Sequence, residues 1–314
     1  MAAAKLREYA SWKAYLESFK CHPHQMPQST FAPARYFQLL VNDTSSDDFV
    51  PDVTFTPVAH RTRGKTTALA RQMADVYFQT PTRYKRQEGT GNSLGFEEDS
   101  SDEEQPFASG TPEETPGPSE ILKQMYKPTK DEEIVTAALS TFLVGLTIHF
   151  AISSRWTVHR KAFKADFSHA SFEARIDGYL EDGSTAKVRT LIEVKPVLRR
   201  IKRALINMQE AAQMVAWIKS DPDLDGSLNK TGRRLHVSQN RHEVFLIFAE
   251  YDQDYLDYLD NKPTPGTGVH FLTMHEYGPW DITSSSQMSE LGTILLAIAL
   301  RAHSDLREEE RRRK

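Results

Sequence analysis

The chain has 314 residues, 39 Lys plus Arg against 43 Asp plus Glu, one Cys and 39% hydrophobic residues. This length suits one large domain or two small ones and supplies a core without metal or disulfide staples. The lone Cys21 excludes an intramolecular disulfide framework and fits a reducing compartment, while no run reaches the ~18 consecutive apolar residues of a membrane span.

At the start, MAAAKLREYASWKAYLESFK lacks the apolar core of a secretory signal, so an intracellular protein of nucleus or cytosol is expected, with no membrane partner. Residues 1–86 read as a partly helical N-terminal extension. Leu6, Tyr9, Trp12, Leu16 and Phe19 have helical spacing, CHPH and a Pro-containing stretch break it, and a second short helix is expected from Thr66 to Phe78. Arg63-Gly64-Lys65-Thr66 is not read as a phosphate loop, because Ala59 stands where the first Gly is required. Cys21, His22 and His24 are too few and too close for a structural zinc site.

Residues 87–120 hold ten acids, no Lys or Arg, and many Gly, Ser and Pro. Such a segment has little to bury against its ordering entropy, and it reads as a disordered acidic linker. Ser100 and Ser101, each with a Glu three residues on, suit an acid-directed kinase or simply belong to a solvated acidic run. Without the linker the remaining chain carries 39 basic against 33 acidic residues, which is compatible with a nucleic-acid partner.

From 121 to 305 the pattern is dense. A helix is expected over Asp131 to Thr147, then strands over Trp156 to Phe167, Phe172 to Leu180 and Val188 to Val194. A helix from Arg199 to Lys219 ends at the Asp-Pro-Asp turn of 221–223, strands follow at Glu243 to Tyr251 and Val269 to His275, and a last helix begins near Ser284–Ser286. This order indicates an α/β or α+β fold, a central mixed sheet flanked by helices. Residues 306–314 form a charged tail, and Arg311 to Lys314 read as a helix end or a basic tether. His149 is expected as a core histidine, and MHEYGPWDI, with His275 and Trp280, as strand-to-helix packing, with substrate stacking as the lesser alternative.

The chemistry concentrates on one strand. In VRTLIEVKP, alternation puts Leu191, Glu193 and Lys195 on one face and Ile192 and Val194 on the other. If the preceding run ARIDGYL pairs with it as a hairpin, Asp177 comes alongside Glu193. Two carboxylates at a strand end offer oxygen ligands suited to Mg²⁺ or Mn²⁺, and a bound ion of that kind polarises a phosphodiester and acidifies water. The bare triplet Glu-x-Lys is common on solvated strands. Its apolar flanks and the upstream Asp-Gly give it weight.

ARIDGYL, LIEVKP and the Gln-bearing helix that follows resemble the PD-(D/E)XK nuclease superfamily, in the branch of RecB-type nucleases and the phage lambda exonuclease. DEEIVTAALSTFL, FEARIDGYL, MQEAAQMVAWI and MHEYGPW are similar to nuclease-like domain proteins of filamentous fungi. The resemblance spans about 120–303 and implies a restriction-endonuclease-like core. It implies that Asp177 and Glu193 bind the metal, with the Val194 carbonyl as a further ligand, and that Lys195 positions or activates the attacking water. It further implies an acid on the first core helix, Glu132 rather than Glu133, and a role for Gln209 and Gln213, where Gln213-x-x-x-Trp217 departs from the branch's Gln-x-x-x-Tyr. The glutamines are expected beside a larger apolar stripe of Leu205, Met208, Ala212 and Val215. Arg199, Arg200, Lys202 and Arg203 are expected to neutralise phosphates.

The leading expectation is a Mg²⁺- or Mn²⁺-dependent nuclease acting on DNA more than RNA. Its alternatives are an inactive module of the same fold that binds nucleic acid or protein, and an interaction protein whose acidic linker is the functional part.

Overall fold

A computed structural model of the chain describes residues 2–21, 26–43, 131–223, 226–230, 232–262 and 270–313. All of them belong to one of two compact units, formed by residues 1–59 and 118–314. The expected linker 87–120 with Ser100 and Ser101, the helix at Thr66 to Phe78, Arg63 to Thr66, and His22 and His24 lie outside the described residues.

The N-terminal periodicity resolves into α1 (Ala2–Glu8) and α2 (Ala10–Glu17), broken at Tyr9, whose backbone is extended. A 3₁₀ turn follows at Ser18–Lys20. The Pro-containing stretch, expected only to break the pattern, leads into α3 (Ala32–Asn42). Its Pro33 sits in the first turn, where the missing N–H costs nothing. These helices are part of the main core. Leu6, Trp12, Tyr15 and Phe31 are buried with Phe142, Leu291 and Leu295.

The next helix, α4 (Glu132–Thr147), starts at Asp131, whose carboxylate accepts from the Glu133 N–H at 2.9 Å. Two expected strands are each divided. Trp156 to Phe167 becomes β1 (Ser154–Thr157) and β2 (Lys161–Asp166), and Phe172 to Leu180 becomes β3 (Ser171–Ile176) and β4 (Gly178–Asp182). β2 and β3 form a separate two-stranded ribbon. The chain bends into the main sheet at Asp177, where Gly178 passes so close to Thr157 that an added Cβ would lie 2.4 Å from its carbonyl oxygen.

β5 (Val188–Lys195) leads to α5 (Arg199–Ser220), which crosses over to β6 (Leu235–Asn240). Then come β7 (Glu243–Glu250), α6 (Gln253–Leu259), β8 (Thr273–Asp281) and α7 (Ser285–Arg313). The six-stranded sheet has the order β1-β4-β5-β6-β7-β8. Only β5–β6 is parallel, and α5 supplies the crossover such a pair needs; the other neighbours are antiparallel. The architecture is therefore mixed α/β, a mixed sheet flanked by helices.

β6 and α6 were not among the expected elements, and β8 lies later than expected. LHVSQN carries His236, Ser238 and Asn240 on alternate positions, so its burial is not visible as hydrophobicity. β8 is one of the two edge strands of this sheet, where the Gly278–Pro279 pair is tolerated. The expected charged tail continues α7, and its Glu309 bonds to Arg189 at 2.9 Å.

Candidate active site

β5 is buried along its whole length and faces two cores. Ile192 and Val194 pack with Leu139, Leu143 and Leu295 of α4 and α7, whereas Leu191 packs with Met214 and Trp217 of α5. Alternation therefore turns Glu193 and Lys195 toward α5. On the neighbouring strand Gly178 pairs with Ile192, which brings Asp177 level with Glu193. The Asp177 N–H donates to the Ile192 carbonyl at 3.1 Å, and the Val194 N–H donates to Asp177 Oδ2 at 3.0 Å.

Glu193 and Lys195 are both 2% exposed. Lys195 Nζ donates to Glu193 Oε1 at 2.6 Å and to the Val194 carbonyl at 2.9 Å, and lies 3.6 Å from Glu132 Oε1. Of the two acids opening α4, Glu132 faces this cluster; Glu133 points outward and accepts from Arg160 at 2.9 Å. From α5, Gln213 Nε2 donates to Glu193 Oε2 at 2.7 Å and to the Arg175 carbonyl at 2.7 Å, and Gln209 Nε2 donates to Glu193 Oε1. Both glutamines are buried while Leu205 and Met208 are exposed. The expected apolar stripe is thus exposed at Leu205 and Met208 and half-buried at Ala212 and Val215, while the buried face combines the two glutamines with Ile206, Met214 and Trp217. The carboxylate of Glu193 supplies the reason, because burying it unpaired would cost more than burying two amides against it.

The charges set the protonation of the site. Burial, reinforced by Asp177, pushes the Glu193 carboxyl up to about 8 against the pull of Lys195. Burial also raises the Glu132 carboxyl, with Lys195 opposing and Asp177 adding to the rise. For Lys195, burial works against the charge, but Glu193, Glu132 and Asp177 outweigh it and raise the pKa above the ordinary value. Lys195 is therefore an ammonium at neutral pH. It can orient a water or stabilise a developing negative charge, but it has no lone pair with which to act as a base.

The basic residues beyond β5 divide. Arg199 is 3% exposed and donates to Asn240, Glu210, Ser238 and Glu276. The expectation that it contacts phosphate is corrected: its guanidinium ties α5 to β6 and β8. Arg200 lies 4.0 Å from Glu243 and Arg203 3.3 Å from Glu276, while Lys202 is exposed at a kink in α5. Arg199, Glu210 and Glu276 line a cavity of about 740 Å³ together with Ile247, Met274 and Tyr255. One smaller expectation changes: His149 is exposed and bonds to Thr30 at 3.0 Å. In MHEYGPWDI, Trp280 is half-buried against the core that includes Met288 and Leu291, as expected of packing, whereas His275 is exposed and pairs with Glu250 at 2.6 Å.

Among the described residues, one group of three or more acids, histidines or cysteines has its ligand atoms within 4.8 Å of one another: Asp252, Asp254 and His270. This Asp-Asp-His group could hold a metal ion. His270 Nδ1 lies 3.2 Å from Asp252, His270 Nε2 lies 3.7 Å from Asp254, and Asp252 also caps α6 by accepting from the Tyr255 N–H. The Asp-x-Asp spacing is visible in the sequence, but the partner histidine comes from beyond α6. No helix among the described residues is long and apolar enough to cross a membrane. No family model, curated protein or solved structure gives a significant match to this chain.

Proposed function

We propose that the chain is a metal-dependent nuclease that hydrolyses phosphodiester bonds of nucleic acid, DNA in preference to RNA, on a restriction-endonuclease-like core of the PD-(D/E)XK type. The observation that carries this reading is the gathering of Asp177, Glu193, Lys195 and Glu132 around the C-terminal end of β5.

The donor set fits a hard divalent cation in kind. Asp177, Glu193, Glu132 and the Val194 carbonyl offer oxygen only, as Mg²⁺ or Mn²⁺ prefers. Gln213 Oε1, buried without a hydrogen-bond partner beside Glu193, is an acceptor that water carried by such an ion would satisfy. When bound, the ion would polarise the phosphate and acidify a water. The chain's own residues do the positioning. Gln209 and Gln213 fix the Glu193 carboxylate, the Val194 N–H fixes that of Asp177, and the Lys195 ammonium stabilises charge gathering on the phosphate oxygens.

The test is cleavage of labelled DNA and RNA by purified protein with Mg²⁺ or Mn²⁺. Cleavage should require the metal and disappear in Glu193→Ala and Lys195→Ala. Activity retained by both variants, or none in the parent with either ion, refutes the reading.

One observation favours a second reading, a module of the same fold that binds nucleic acid or protein without cutting it. Both oxygens of Glu193 already accept hydrogen bonds, and Glu132, Asp177 and Glu193 are not drawn into a group within 4.8 Å. Salt-sensitive binding that needs no metal and is indifferent to Asp177→Asn would identify it.

A further inference from the structure

We propose that Arg160 receives the substrate phosphate at the mouth of this site and that Glu133 holds it there until substrate arrives; this rests on the nuclease reading and adds a residue that no motif of the sequence points to. Arg160 lies in the short link between β1 and β2. Its Nη2 donates to Glu133 Oε1 at 2.9 Å and its Nε lies 3.7 Å from Asp177 Oδ1, so the guanidinium spans from the first turn of α4 to the bend at Asp177. It is thus next to an acid of the cluster, yet 60% of its side chain is exposed.

That combination separates it from the other cations nearby. Lys195 is buried and tied within the cluster. Lys161, the next residue in the chain, lies over the rings of Phe163 and Tyr179. Arg199 is enclosed and committed to acceptors on three elements. The bonds of Arg160 are of a different kind. A pair in which both side chains are more than half exposed contributes little in water, so exchanging Glu133 for a phosphate costs little. A guanidinium also presents two parallel donors to a phosphate, which the point charge of a lysine cannot do. The arrangement explains why the opening of α4 carries two consecutive acids: Glu132 faces Lys195, and Glu133 holds the arginine.

The experiment uses the full chain, with fluorescein-labelled single-stranded and duplex DNA for binding without metal and the same DNA with Mg²⁺ for cleavage. Arg160→Ala should weaken binding about tenfold and reduce the salt dependence by about one released counterion. KM should rise more than kcat falls, and Arg160→Lys should recover part of the loss. Glu133→Gln should tighten binding, and that gain should vanish in the Arg160→Ala background. Unchanged binding and KM in Arg160→Ala overturns the proposal, as does Glu133→Gln weakening binding like Arg160→Ala, which would make the pair a structural strut. A parent that neither binds nor cuts DNA refutes the nuclease reading and this proposal together. A parent that binds without cutting refutes the catalytic reading, while the binding arms still decide on Arg160.

Discussion

His236 lies in the middle of the sheet, paired with Leu191 on one side and Ile247 on the other, and neither of its ring nitrogens has a hydrogen-bond partner. Burial, together with the positive charges of Arg199 and Lys195, depresses its pKa from the ordinary 6.5 to about 3. The folded state therefore keeps the ring neutral over a range in which the unfolded chain takes up a proton. Stability is fully present above about 6.5 and is lost as the pH falls toward about 3. At pH 5 this loss amounts to roughly 2 kcal/mol relative to pH 8. Glu193 acts in the opposite direction: its raised pKa gives stability that is present at low pH and lost as the pH rises through about 8. The two are separated by comparing urea unfolding of the parent with that of His236→Leu from pH 8 down to pH 5. The variant should be at least as stable at pH 8, because two unsatisfied buried nitrogens are gone. It should gain a further ~2 kcal/mol over the parent by pH 5. Parallel curves for the two proteins would mean that the ring is hydrated or charged in the fold, and the reasoning would fail.

Two further perturbations test the packing. Gly292→Ala in α7 should lower the melting temperature, since its Cβ would meet the Trp12 ring at 2.3 Å, whereas helix propensity alone predicts a gain of about 1 kcal/mol; a stabilised variant would show that α2 does not dock there. Arg189→Ala should cost about 3–5 kcal/mol in urea unfolding, because it strands the fully buried carboxylate of Asp182 and the partner acid Glu309. A cost below about 1 kcal/mol would mean that water reaches that cluster.

Where apolar periodicity matched the fold, the elements were legible: α4, β5, α5 and β7 all lie close to where the spacing put them. The two faces of β5 could also be assigned, because Ile192 and Val194 alternate with Glu193 and Lys195. What stayed hidden was hidden for identifiable reasons. β6 buries Ser238 and Asn240 through hydrogen bonds with Arg199, so its interior positions read as polar. α5 turns its glutamines inward, because the charge they serve lies on another element. The same fact misled the reading of Arg199, whose partners come from β6, β8 and α5 itself. The splits at Val158–Arg160 and Asp177 separate segments that look continuous in hydropathy but belong to two sheets. A charge inside a protein is chosen by its partners, and partners distant in sequence leave no local pattern.

The two readings of the site make opposite predictions about protons. Glu193 and Glu132 lie against Lys195, Asp177 is beside the exposed Arg160, and the burial of Glu193 raises its pKa to about 8. At neutral pH its raised pKa favours the protonated carboxyl more than at an ordinary glutamate. A divalent cation bound through Glu193 must displace this proton. Affinity should therefore rise as the pH passes through about 8, and then level off once the carboxyl has ionised. Calorimetric titration of Mn²⁺ at pH 7, in two buffers of different ionisation enthalpy, should show proton release on ion binding, and Glu193→Gln should abolish that release. The Asp252, Asp254 and His270 group provides the internal control, since uptake there would survive Glu193→Gln and disappear in His270→Ala. Binding that releases no proton and ignores Glu193→Gln would place the ion elsewhere. The buried cluster would then be a hydrogen-bonded strut between β5 and α5, which is the arrangement a binding module without hydrolytic activity would retain.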